Sequence, residues 1–277
     1  MSAQATWPAA AGLRSGDGVR RFVRLTYTLA ITEWKLRFFG SALGYVWSLA
    51  RPLMLFGVLY VVFSVVADFG DAIPHYPVYL LTAIVLFTFF AEATGNAVQS
   101  LVQRETLLRK IRFPRSVVPL SVCLTALFNL GMNLIVVSGF LLLNGLYPTW
   151  RWLELPLFIA VLLMLSCGLA LLLSSLFVRF RDIAPIWDVV SQMLFYGSPI
   201  FYTVDMYKGW AQEMAWTPLV MVLTQMRHAL IDPDAPSAAD VAGGYPYLLI
   251  PLGIVLGIFL LGVWVFRRTS STLAENL

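Results

Sequence analysis

The 277-residue chain is 59% hydrophobic and only 12% charged, with a formal net charge of +4 and a mean hydropathy of +0.79. Soluble domains run near 45–50% apolar and about 25% charged, so this composition excludes an ordinary soluble protein and points to an all-α integral membrane protein. The basic residues sit in loops between apolar spans and not in a stripe with exposed aromatics, which leaves membrane lipids and no nucleic acid as partners.

Residues 1–18 are rich in Ala, Gly and Ser, hold no apolar run resembling a signal peptide, and are expected to be disordered. Residues 19–38 read as an amphipathic helix. At 100° per residue Arg21, Arg24, Thr28, Thr32 and Lys35 form a narrow polar stripe, while Phe22, Val23, Tyr27, Leu29, Ile31, Trp34 and Phe38 take the rest of the wheel. That pattern describes an interface helix lying in the headgroup plane, as a simple anchor or as a gate for substrate.

A bilayer core about 30 Å thick takes roughly 20 apolar helical residues. Six stretches meet this: 47–67, 76–98, 117–146, 155–177, 183–204 and 247–266. Residues 216–230 would extend only about 22 Å and are expected to form a re-entrant or interfacial segment between helices five and six. Both termini are expected inside. Sixteen of nineteen basic residues then face inward, with Arg151, Lys208 and Arg227 outside.

Between the second and third spans lies 103–115, Gln-Arg-Glu-Thr-Leu-Leu-Arg-Lys-Ile-Arg-Phe-Pro-Arg. Its basic residues alternate with Leu107, Leu108, Ile111 and Phe113, so it is read as a short helix on the membrane face whose apolar side seats in a partner. The fifth span opens on Arg179-Phe180-Arg181-Asp182 and is interrupted by Gly197-Ser198-Pro199. Proline removes a donor and displaces its predecessor from helical angles, so a broken helix facing protein or a water-filled pathway is expected. Phe195, Tyr196, Phe201 and Tyr202 cluster at this break, as stacking faces for sugars or as belt residues.

Other polar residues in the spans carry competing readings. Glu92 is either an intramembrane functional carboxylate or an interfacial one. Asn129 and Asn133, four apart, suit hydrogen bonds between helices, and Gly253 with Gly257 suits close helix packing. Cys123 and Cys167 lie in apolar spans and read as packed thiols, and no metal site is expected. None of the three lysines (Lys35, Lys110, Lys208) completes a phosphate-binding loop, and no HExxH or GxSxG occurs. The chain is therefore not expected to be an enzyme, and its own sequence calls for no cofactor.

Three stretches resemble the transmembrane permease of the ABC exporters that move polysaccharides out of bacteria. The first runs from Lys35-Leu36-Arg37-Phe38 through Ser41, Leu43-Gly44 and Trp47 to Pro52, although that family more often has an uncharged polar residue where Arg51 stands. The second is 108–115 with Pro119-Leu120, similar to a coupling helix. The third runs from Arg181-Asp182-Ile183 to Ser198-Pro199-Ile200.

The resemblance covers nearly all of 19–277 and implies one exporter transmembrane domain in the bacterial inner membrane. It implies a second copy of the chain, two separate nucleotide-binding subunits holding ATP and Mg, and an undecaprenyl-diphosphate-linked polymer such as O-antigen, teichoic acid or capsule. It further implies that Arg104, Arg109, Lys110, Arg112, Phe113, Pro114 and Arg115 couple to the ATPase subunit. Arg37, Arg51, Arg181 and Asp182 become diphosphate or gate candidates, and the four aromatics at the break become conduit residues. Three other readings stay open: an ABC permease for a small lipid or drug, an ion-coupled secondary transporter, and a membrane-embedded glycosyl or acyl transferase. The second would call for repeated halves and several buried acids. The third would call for clustered His, Asp or Glu, whereas His75 and His228 stand apart.

Overall fold

A computed structural model of the chain describes residues 15–38, 44–66, 73–110, 113–207, 214 and 216–269. Among these residues every regular element is helical. In chain order the α-helices are α1 (Ser15–Phe38), α2 (Gly44–Tyr60, continuing as a π-helical turn Val61–Val66), α3 (Tyr76–Val98), α4 (Ser100–Gln103), α5 (Glu105–Lys110), α6 (Val117–Leu143), α7 (Glu154–Arg179), α8 (Ile183–Gly197), α9 (Pro218–Leu230), α10 (Ala238–Ala242) and α11 (Leu249–Thr269), with short 3-10 turns at Trp150–Leu153, Val204–Met206 and Tyr245–Leu248. The first helix starts at Ser15, inside the stretch expected to be disordered.

Five helical segments are long and apolar enough to cross a bilayer: Trp47–Ser64, Tyr76–Val98, Val117–Leu143, Trp150–Arg179 and Tyr245–Thr269. The expected fifth span, 183–204, differs. Its helix ends at Gly197 after 15 residues, about 22 Å at 1.5 Å per residue. The remainder is a buried turn through Ser198, Pro199 and Ile200.

Helix α3 is the axis of the bundle. It has little amphipathicity because it is surrounded, and 78% of its spanning window is buried. It packs against α6, α7, α2 and α8. In contrast, only 6% of the window in α2 and 17% of that in α11 is buried, which leaves those helices for lipid or another chain. Helix α9 is short but enclosed: ten of its thirteen residues, including Leu219, Val222, Leu223 and Met226, are buried. An enclosed helix too short to span matches the non-spanning segment expected at 216–230.

Helices α7 and α11 cross in close contact. A Cβ on Gly262 would lie 2.2 Å from the Gly168 carbonyl oxygen, and one on Gly168 would lie 2.7 Å from the Phe259 Cα. Gly253 and Gly257, the pair expected to mark close packing, have nothing within 4 Å of such a Cβ. The close approach uses a glycine from each of two helices and not two from one.

Helix α1 lies along α6. Phe22, Leu25, Thr26, Leu29, Ala30, Glu33 and Trp34 make the face turned to the protein, at the 3–4 residue spacing of a helix stripe. Tyr27 and Trp34 both meet Phe128 edge-on, at 6.2 and 6.1 Å. The polar stripe Arg21, Arg24, Thr28, Thr32 and Lys35 is exposed, and Val19, Val23, Tyr27 and Leu36 leave an apolar surface beside it.

Candidate transport groove

A cavity of about 1240 Å³ opens between α2 and α8, floored by α3 and α6. Helix α2 contributes Trp47, Arg51 and Met54, and α8 contributes Asp188, Gln192 and Tyr196. Glu92 and Asn96 line it from α3, Asn129 and Asn133 from α6, and Arg37 from the end of α1. Its lining on α3 runs from Phe87 to Asn96, about 13 Å along the helix, so it occupies the half of the bundle nearer α4 and α5. Charged residues on α2 and α8 turned toward a membrane need cover from protein or water.

Of the four diphosphate or gate candidates, the groove brings together Arg37 and Arg51. Arg181 and Asp182 are exposed at the start of α8, away from that lining. The Arg181 guanidinium stacks over the Phe177 ring at 5.0 Å. Phe195 and Tyr196 line the groove, whereas Phe201 is buried and stacks on Phe63 of the π-helical turn at 4.6 Å. Tyr202 meets Phe201 edge-on at 4.9 Å and donates to the Tyr196 carbonyl at 2.8 Å. The four aromatics thus divide between two that face the groove and two that pack at the helix break.

The break itself is satisfied by tyrosines that no sequence pattern marked. Helix termination leaves carbonyls without intrahelical donors, which is costly at membrane depth. Tyr207 donates to Gly197 O at 2.8 Å and Tyr76 to Phe201 O at 3.0 Å. The Tyr79 hydroxyl is shared between Pro199 O and Tyr202 O, the latter at 2.7 Å. The Arg227 guanidinium stands over the Tyr79 ring at 5.7 Å and faces Asp205 at 3.7 Å and Asp232 at 3.5 Å. Aromatic abundance in the sequence hid these residues among ordinary interfacial tyrosines.

At the α5 end a polar network ties α1 to the bundle. Arg37 forms an ion pair with Glu92, and both Glu92 oxygens accept from Asn129 Nδ2 at 3.0 Å. Trp34 Nε1 donates to Asn129 Oδ1 at 3.0 Å, while Asn133 donates back to the Asn129 carbonyl at 2.9 Å. One turn earlier on α1, Glu33 pairs with Arg104 at 2.5 Å, beside Ser121. Burial pushes the Glu33 carboxyl above the usual carboxylate range, against the opposing pull of Arg104.

Among the described residues of the expected coupling segment, 103–115, Gln103 ends α4 and Glu105–Lys110 form α5. The segment's residues point in different directions. Arg104 is turned inward to Glu33. Arg109 is 64% exposed and bridges back to Glu105 at 2.7 Å, and Lys110 is exposed. Pro114 is also exposed, with its carbonyl accepting from Val117 at 3.0 Å. Arg115 is partly buried, and Arg112 lies outside the described residues. Leu108 and Phe113 pack against the chain's own cluster of Leu101, Val118, Leu171, Val178 and Phe266. Leu108 and Phe113 are thus engaged within the chain, and the exposed residues of α5 are Thr106, Arg109 and Lys110.

Phe113→Ala is accordingly expected to destabilise the protein itself by about 2 kcal/mol, the cost of removing a partly buried aromatic. Lowered thermal stability of the isolated chain in detergent checks this. Unchanged stability would mean that the side chain does not contribute to the cluster.

Residues 24–231 match the model of the ABC-2 type transporter membrane family. The chain belongs to this family. An O-antigen export system permease protein RfbA from Klebsiella pneumoniae is 27% identical over 247 residues, covering 88% of this chain and 92% of that protein. The RfbA permease of Myxococcus xanthus is 28% identical, covering 77% and 83%. The polysialic acid transport protein KpsM of Escherichia coli is 23% identical, covering 79% and 84%. The chain is thus a multi-pass ABC-2 permease, a transporter component. That sets aside the ion-coupled secondary transporter and the membrane-embedded transferase.

Proposed function

We propose that this ABC-2 permease is the membrane-spanning half of an ATP-driven exporter of lipid-linked polysaccharide. Two copies face each other across α2 and α8, and two separate ATPase subunits, carrying ATP and Mg, dock beneath the exposed basic face of α5. The observation that carries the reading is the long groove, charged at Arg37 and Arg51 and aromatic at Trp47, Phe195 and Tyr196. Guanidinium groups pair bidentately with phosphate, and aromatic faces present a surface on which a sugar polymer slides. The likeness to relatives named for O-antigen export and polysialic acid transport supports this choice of substrate class.

Helices α2 and α8 support the pairing of two copies. Ile186, Val189 and Met193 on α8 and Met54 and Val58 on α2 are exposed beside Arg51, Asp188 and Gln192. Lipid covers the first set but not the second; a second copy covers both and turns the groove into a conduit. In the single chain the groove ends at Tyr196 and the tyrosine-held break, which would act as the outer gate. ATP-driven closure of the subunits beneath would move α5 and, through Arg104 and Glu33, α1.

Export of an undecaprenyl-diphosphate-linked polymer into vesicles, by this chain reconstituted with its ATPase partner, tests the reading. ATP-dependent accumulation is expected, with a loss of about tenfold for Tyr196→Ala if the ring guides the transition state for passage. Transport of a small lipid but no polymer would favour the alternative ABC cargo.

With α8 and the turn after it taken together as a sixth crossing, the proposed orientation puts both termini in the cytoplasm of a bacterial cell and the 231–242 segment outside the inner membrane. Asp234 is exposed on that segment. In spheroplasts Asp234→Cys is expected to react with an impermeant thiol reagent, above the background of Cys123 and Cys167. Labelling that requires permeabilisation would invert the topology.

A further inference from the structure

We propose that Glu92 is a resident counter-ion that occupies Arg37 until a more highly charged lipid head displaces it, so that Glu92 screens ordinary anionic lipids out of the groove. The inference rests on the reading of Arg37 as a diphosphate contact. The two guanidinium groups that line the groove differ in one respect. Arg37 is paired with Glu92, whereas Arg51 has no acidic partner among the described residues and is exposed. The guarded arginine is not sequestered: its side chain is 42% exposed and that of Glu92 is 24% exposed. An incoming head therefore reaches both members of the pair. At this exposure an ion pair adds little to stability, so holding the fold together is a weak reason for its presence.

The surroundings of Glu92 are built for the exchange of partners. Asn129 Nδ2 contacts both carboxylate oxygens at 3.0 Å. The amide cannot turn away, because its oxygen is engaged by Trp34 Nε1 at 3.0 Å. When Arg37 leaves for another anion, Glu92 keeps its hydrogen bonds and is not left as an orphan carboxylate, the costly outcome for a displaced ion-pair member. A smaller polar cavity of about 250 Å³ adjoins the groove at Arg37 and is lined by Asn96, Gln99, Gln103 and the Glu33–Arg104 ion pair, in which Arg104 offsets the Glu33 charge. It supplies amide donors for the oxygens of a head that has entered.

Competition of this kind discriminates by charge. The phosphodiester head of a bulk phospholipid brings one negative charge, whereas the diphosphate of a polymer-linked lipid brings two, one on each phosphate, and more acceptor oxygens than a phosphomonoester of similar charge. The diphosphate displaces a carboxylate from Arg37 more effectively, and the bulk phospholipid head does not.

The test uses the full chain in nanodiscs with four probes: a polyprenyl diphosphate, a polyprenyl monophosphate, the neutral polyprenol and inorganic diphosphate. The wild type is expected to prefer the polyprenyl diphosphate over the monophosphate. In Glu92→Gln the monophosphate is expected to bind about fivefold more tightly, with a smaller gain for the diphosphate and none for the polyprenol. The gain is expected to vanish in Glu92→Gln combined with Arg37→Gln. Inorganic diphosphate is expected to compete weakly, with the same dependence on both residues; competition independent of them would be overturning.

Asn129→Ala provides a second reading should Glu92→Gln fold poorly. It strips Glu92 of its alternative partner, so diphosphate affinity is expected to fall. A change below about twofold in both the Glu92 and the Asn129 variants overturns the counter-ion role. The two levels separate cleanly. If Arg37→Gln weakens diphosphate binding but neither Glu92→Gln nor Asn129→Ala alters it, only the counter-ion inference fails. If Arg37→Gln leaves diphosphate binding intact, the diphosphate reading of the groove fails and takes the inference with it.

Discussion

Gly262→Val is expected to prevent the permease from folding to a monodisperse protein. The first side-chain carbon would fall 2.2 Å from the backbone oxygen of Gly168, and a backbone atom has no rotamer to give. Relief requires α7 and α11 to separate, which opens the contact along both helices. Helix association within a membrane depends on packing, because lipid is as apolar as the side chains and offers no hydrophobic drive between helices. Lost packing is therefore not recovered elsewhere. Overpacking of a tight core costs typically about 1–3 kcal/mol, and more where backbone must move, so a loss of at least about 3 kcal/mol is expected here. Size-exclusion behaviour and thermal stability in detergent provide the measurement, with Gly257→Val as the control because nothing lies within 4 Å of its Cβ position. Equal tolerance of both variants would show that the α7–α11 crossing is looser than described.

Arg104→Ala is expected to damage the protein by a different route. Glu33 is held in a partly buried site, its side chain 20% exposed, and Arg104 is its ion-pair partner. Removing one member of such a pair leaves a carboxylate with Ser121 at 3.4 Å as its remaining side-chain hydrogen-bond partner. The full penalty for a buried pair is about 3–5 kcal/mol; residual solvent access brings the expected loss nearer about 2 kcal/mol. Burial already holds the Glu33 carboxyl above its ordinary value in spite of Arg104, and the variant removes the opposing pull. A carboxyl whose folded value exceeds its unfolded value costs nothing when both states are protonated. It costs stability as pH rises from the unfolded value through the folded one. The deficit of Arg104→Ala is therefore expected to be greatest at neutral pH and to shrink toward about pH 4. Glu33→Gln in the same background is expected to restore most of the stability by removing the charge. If the deficit is the same at both pH values and Glu33→Gln does not reduce it, the two residues do not act as a pair. Export and ATP hydrolysis in the doubly substituted protein then address the proposed relay from α5 to α1: stability would return, but coupling would not.

What could be read in the sequence was whatever one helix reports about itself. The composition and the long apolar runs called for an all-helical membrane protein, because the bilayer imposes its thickness on every crossing segment. The proline after Gly197-Ser198 marked the end of α8 for the same local reason: the ring removes a donor and constrains its predecessor. The polar stripe on α1 and the reading of Asn129 as a hydrogen-bonding residue between helices followed from helical spacing, and the exposed stripe and the Trp34–Asn129–Glu92 contacts agree, whereas Asn133 donates within its own helix, to the Asn129 carbonyl.

Contacts between helices were another matter. Phe113 and Arg104 sat in a basic amphipathic segment read as seating in a partner; the contacts that hold them within the chain, the cluster around Leu101 and Phe266 and the carboxylate of Glu33, come from distant helices and left no mark in its pattern. Gly253 and Gly257 carried the packing spacing, yet Gly168 and Gly262 made the crossing, because close approach depends on which faces of two distant helices meet. Tyr79 closed the break of α8 from 120 residues away. Periodicity along one helix fixes where its faces lie; the partner of each face is set by packing across the bundle, and there Arg37 found Glu92.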